Sequence, residues 1–127
     1  MYNMRKMEGC LAVEFKTSFD YGTLKTIMHN FVQIPEHPRL NELYLIGNHR
    51  ARIRLGEIQA FVEDYGRLLP KPTRSKKIAM VVDEGLTEAI VGLMANGLEQ
   101  RHAIKCRIFR TMEEAGEWLD LPSSQVA

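Results

Sequence analysis

Ile78-Ala79-Met80-Val81-Val82 is apolar without interruption. A strand with one wet face alternates in polarity, so a continuous apolar run flanked by charge must be covered on both faces, as strands of a parallel sheet are. Parallel strands need crossover helices, and the sequence supplies four candidates. Leu24, Ile27, Met28 and Phe31 fall at i, i+3, i+4 and i+7 behind a candidate N-cap, Asp20, and Pro35 and Pro38 close that helix. Ile58, Phe61, Val62, Tyr65 and Leu69 form a second stripe ahead of Pro70 and Pro72. A third helix from about Gly85 carries Leu86, Ala89, Ile90, Leu93, Met94 and Leu98 inward, and Gly97 either ends it or weakens a helix reaching Gln100. Thr111-Met112-Glu113-Glu114 is a capping box that opens a fourth helix, with Met112, Ala115, Trp118 and Leu119 inward.

Leu11–Phe15 and Leu43–Ile46 read as further strands, and Lys105–Phe109 alternates as an outer strand would, leaving Ile78–Val82 central. The expected fold class is α/β: a four- or five-stranded mixed sheet with about four helices packed on it. No linker or repeat divides the chain, so residues 1–127 are expected to form one domain with a frayed tail at 123–127. A domain of this length buries roughly two thirds of its unfolded surface, so Cys10 and Cys106 need no structural bond. They read as small buried hydrophobes, reduced in the cytoplasm, where the missing export signal and missing membrane span place the chain.

Most familiar chemistries are excluded by spacing. His29, His37, His49 and His102 are too scattered to pair as metal ligands, and Gly92 to Gly97 has P-loop glycine spacing but is followed by Leu98-Glu99 instead of Lys-Ser or Lys-Thr. No serine sits in a G-x-S-x-G elbow. Asp83-Glu84 reads as negative charge at a helix N-terminus. No metal, cofactor or catalytic residue is implied.

One constellation does suggest binding. His49, Arg50, Arg52 and Arg54 cluster where a buried strand hands over to a helix, and α/β sheets bind ligands beyond the carboxyl ends of their strands. Arginine forks match carboxylate and phosphate oxygens, and helix-start N–H groups favour negative charge. A second basic run, in the proline-bearing connection to the central strand, holds Arg67, Lys71, Arg74, Lys76 and Lys77, with Arg67, Lys71 and Arg74 as a secondary basic patch. The aromatic residues sit at core spacings and offer no base-stacking surface, which makes nucleic acid an unlikely partner.

The C-terminal half, Lys77-Ile78-Ala79-Met80-Val81-Val82-Asp83 followed by a helix, Cys106-Arg107-Ile108-Phe109-Arg110 and Met112-Glu113-Glu114-Ala115-Gly116-Glu117-Trp118-Leu119, resembles the SpoIIAA-like, STAS-type family over roughly residues 40 to 121. The resemblance implies a mixed sheet with helices, no catalytic activity and a regulatory role through partner binding. Relatives of part of the fold include the CRAL-TRIO lipid carriers. In the antagonist branch a phosphorylated Ser or Thr begins the helix after the second core strand. Here that stretch, Asn48 to Glu57, contains no hydroxyl, a departure from the pattern.

The net charge of +1 is a cancellation: residues 1–48 sum to 0, residues 49–77 to +5 and residues 78–127 to −4. A basic middle and acidic end suit an acidic partner or a second copy of the chain. The leading expectation is a non-enzymatic module that binds a protein partner or small ligand, as a homodimer. Its alternatives are a carrier with a cavity lined by Met28, Met80, Met94 and Met112, and an anion-acting enzyme using His49 as acid or base.

Overall fold

The computed structural model describes residues 1–71, 76–102 and 104–122. It is an α/β protein with a five-stranded mixed sheet and four α-helices. A hairpin opens the chain: β1 (Tyr2–Met7) pairs antiparallel with β2 (Cys10–Phe15). The short β3 (Phe19–Asp20) leads into α1 (Tyr21–Val32), and a 3-10 turn at His37–Arg39 enters β4 (Asn41–Gly47). Next come β5 (Ala51–Arg52), α2 (Leu55–Leu68), β6 (Lys76–Val82), α3 (Leu86–Arg101), β7 (Ile104–Phe109) and α4 (Met112–Trp118).

The sheet order is β1-β2-β4-β6-β7, and β2, β4, β6 and β7 are all parallel. Each crossover therefore steps one strand in the same direction. α1, α2 and α3 bury their apolar stripes on one face, in a core with Leu11, Val13, Tyr44, Ile78 and Met80. α4 covers the other face with Ala115 and Leu119, against Leu43, Ala79 and Val81. The Ile78–Val82 strand is buried on both faces, as its composition requires, and lies between β4 and β7; the middle strand is β4.

Both side-chain caps form as expected. Asp20 accepts from the Thr23 N–H at 2.9 Å, and Thr111 Oγ1 accepts from the Glu114 N–H at 3.2 Å. α3 continues through Gly97, where a Cβ would stand 2.7 Å from Val62 Cγ2, so glycine allows α2 and α3 to close on each other. Cys10 and Cys106 are free and buried. Burial pushes the Cys10 thiol up to about 12, and burial with the Glu42 charge raises Cys106 as well.

Three expectations need correction. β1 went unread, because the alternation of Tyr2 and Met4 breaks at Lys6 on a half-exposed edge. The buried stripe of α3 is Val91, Met94, Ala95 and Leu98; Leu86 and Leu93, expected inward, are 69% and 49% exposed. α3 is apolar nearly all round, so its sequence does not fix its rotation. Lys76, read as part of a basic run in the connection to the central strand, begins β6 and is 1% exposed. Met28, Met80 and Met94 are packed in the core, away from the walls of the clefts described below. The 123–127 tail and Arg74 lie outside the described residues.

Candidate functional site

The loop after β4 brings His49, Arg50, Arg52 and Arg54 to the carboxyl edge of the parallel strands, as the sequence suggested. β5 holds this loop by pairing with β3, and the Phe19 N–H donates to the Arg50 carbonyl at 3.0 Å. On its other side the Ala51 N–H donates to Thr87 Oγ1 at 3.2 Å, docking the loop on the first turn of α3. Arg54 is the N-cap of α2, its backbone N–H held by Glu57 Oε1 at 2.9 Å. His49 is half-buried, whereas Arg50, Arg52 and Arg54 are exposed and make no ion pair with any described residue. Asp83 and Glu84, both exposed, follow β6 at the same edge, where the Asp83 N–H donates to the Gly47 carbonyl at 2.9 Å.

Apolar surface borders these arginines. Leu55, the first residue of α2, is 76% exposed. Leu86 opens α3 with the exposure given above. Leu55 and Leu93 line a groove of about 300 Å³ between the two helices, floored by Ile58, Val62 and Gly97. Large side chains left in water beside a groove are the usual mark of a contact surface.

At the opposite, amino edge is a buried polar cluster that sequence reasoning missed. Glu42 is fully buried on β4, facing the helices. Its Oε2 lies 2.7 Å from Lys76 Nζ and 2.9 Å from His37 Nε2, and accepts the Tyr65 hydroxyl; Oε1 accepts the Tyr44 hydroxyl at 2.6 Å. Lys76 also donates to the His37 carbonyl at 3.1 Å and stands 2.9 Å from His37 Nε2. His37 stacks on Phe31, ring centroids 4.9 Å apart, and its Nδ1 has no hydrogen-bond partner among the described residues.

The electrostatics follow from burial. Burial alone would raise the Glu42 carboxyl, but the Lys76 ammonium and the bonds from His37 hold it well below the ordinary carboxylate range. Burial, with the Glu42 charge, holds the Tyr44 and Tyr65 phenols well above theirs. The cluster is closed to solvent and joins four segments: the 3-10 turn, β4, β6 and the end of α2. A one-residue slip of β4 would turn Glu42 to the wrong face.

A pH dependence follows. Glu42 is depressed in the folded state, so its stabilisation is present above its unfolded value of about 4.3 and is lost as pH falls below that. The raised phenols and thiols act at the other end: the unfolded chain releases those protons more readily, so stability falls above about pH 9. Urea midpoints measured against pH should fall below about pH 4 and above about pH 9. Glu42→Gln should flatten the acid limb.

Of the second basic patch, Arg67 is paired with Asp64 at 2.6 Å and Lys71 is exposed. Among the described residues, no group of three or more His, Cys, Asp or Glu side chains is placed to hold a metal ion, and no helix is long and apolar enough to cross a membrane. The chain matches no family model, no curated protein and no solved structure.

Proposed function

We propose that this protein is a non-enzymatic binding module, similar in kind to the STAS-type regulators, that presents its carboxyl edge to an acidic protein partner. The observation behind this reading is the joint exposure of Leu55 and Leu86 at the starts of α2 and α3, next to Arg50, Arg52 and Arg54. Apolar anchors give a partner area to bury, and unpaired guanidinium groups select a carboxylate-bearing one. The five-stranded mixed sheet agrees with the fold that the STAS resemblance implies. The missing hydroxyl between Asn48 and Glu57 argues that any switching occurs on the partner.

The test compares wild type with Arg50→Glu/Arg52→Glu and, separately, Leu55→Asp as baits in native extract, followed by affinity measurement on each protein captured. A genuine partner should lose at least about tenfold in affinity with either variant and weaken as salt rises. A captured protein that binds all three baits equally would defeat the reading. Sedimentation of the same proteins tests the homodimer: if the basic surface pairs with the acidic α4 of a second copy, the charge reversal yields a monomer.

A further inference from the structure

We propose that the cleft at the amino edge, between the C-terminal turns of α2 and α3, binds a small amphiphilic anion: a carboxylate or phosphate monoester carrying a short apolar body. This goes beyond the partner surface and lies at the other end of the parallel strands. The cleft has a volume of about 340 Å³. At about 30 Å³ per water-sized group it holds roughly ten non-hydrogen atoms. Its walls are the Tyr65 ring, Leu69, Pro70 and Ile104; Lys71 and Arg101 bring positive charge, and the His102 ring a polar edge.

The recess has a structural origin. His102 caps the end of α3, and its Nε2 lies 3.1 Å from the Val62 carbonyl of α2. The ring occupies the space of an absent side chain, since a Cβ on Gly66 would stand 2.2 Å from His102 Cε1. With Nε2 donating to that carbonyl, Nδ1 is the ring nitrogen not engaged there. The Tyr65 hydroxyl is committed to Glu42, so the cleft receives only its ring, 6.1 Å from that of His102. An apolar body therefore finds apolar walls.

Charge selects the head group. Lys71 is exposed and makes no hydrogen bond or ion pair with any described residue. Arg101 pairs loosely with exposed Glu63 at 3.5 Å, a contact that competes weakly with an entering anion. Arg67, on the same stretch of α2, is spent on Asp64. The cleft thus has positive charge to spare beside apolar walls, the usual composition of a site for an organic acid.

Titration calorimetry of the full chain tests this with hexanoate and phenyl phosphate as probes, against hexanol and acetate for the first and phenol and inorganic phosphate for the second as their separate halves. At least one amphiphile should bind about tenfold or more tightly than either of its halves, and the tighter of the two identifies the head group. Lys71→Glu and, independently, Arg101→Gln should each weaken it by about tenfold, while the His102 ring signals move on binding to wild type. Arg50→Glu/Arg52→Glu should leave binding unchanged, which separates this site from the partner surface. The proposal is overturned if hexanol or phenol binds as well as its anionic counterpart, if both amino-edge variants bind like wild type, or if millimolar amphiphile leaves the His102 signals in place.

Discussion

Lys76→Met should lower the unfolding free energy by about 3–5 kcal/mol, one of the two largest single-residue effects in the molecule. The substitution leaves the side chain's volume in place and removes only the ammonium, stranding the Glu42 carboxylate in a site closed to water. Tyr44 and Tyr65 still donate to it and His37 Nε2 stays within hydrogen-bond reach, but the ammonium is gone. The buried pair itself adds little net stability, because removing two ions from water costs nearly what their attraction returns. The cost of breaking it is therefore the cost of a lone buried ion. Adding Glu42→Gln to Lys76→Met should recover part of the loss, giving a double variant more stable than Lys76→Met alone. Urea unfolding of the four proteins in this cycle reads the coupling. A loss under about 1 kcal/mol for Lys76→Met would mean that Glu42 is protonated or hydrated in the folded protein.

Phe31→Ala should be comparably severe, at about 3–5 kcal/mol. Phe31 is completely buried at the end of α1, and its ring covers the His37 imidazole. Truncation leaves a cavity and also removes the lid from a histidine whose Nδ1 has no partner among the described residues, so water entering there would reach the ion pair. Phe31→Leu, which keeps most of the volume, should cost no more than about 1.5 kcal/mol. In thermal melts the alanine variant should fall by on the order of 10–20 °C and the leucine variant by a fraction of that. Equal losses would show that aromatic stacking on His37, and not filled volume, is what Phe31 supplies.

The parts of the fold that announce themselves locally were legible in the sequence. The run Ile78–Val82 marks an interior strand, and Asp20 and Thr111 mark helix starts, because each signal lies within a few residues of the structure it specifies. The arginine loop was legible for the same reason, since strand and helix both adjoin it. What was missed depends on distant pairing. Glu42 and Lys76 are 34 positions apart and look like ordinary surface charges until β4 and β6 are set side by side. One clue was available: Lys76 stands two positions before Ile78 in a strand covered on both faces, so its side chain had to point into a core. The outward turn of Leu86 and Leu93 could not be read, because it is settled by the packing of α3 on β7 and α2.

Because every crossover steps one strand in the same direction, the order of the strands across the sheet is also the order in which the ribosome delivers them. The hairpin is made before the parallel strands, and each later strand follows its sheet neighbour in synthesis. Glu42 emerges with His37 and Tyr44 beside it, but its counter-charge follows 34 residues later. At about 5–20 residues per second the nascent β4 edge waits roughly two to seven seconds for Lys76. During that interval the carboxylate is a charge on an unfinished edge, the kind of feature that discourages pairing with another chain. In a sheet built in that order, the group that is costly to bury in the finished protein would guard the growing edge until the next strand covers it.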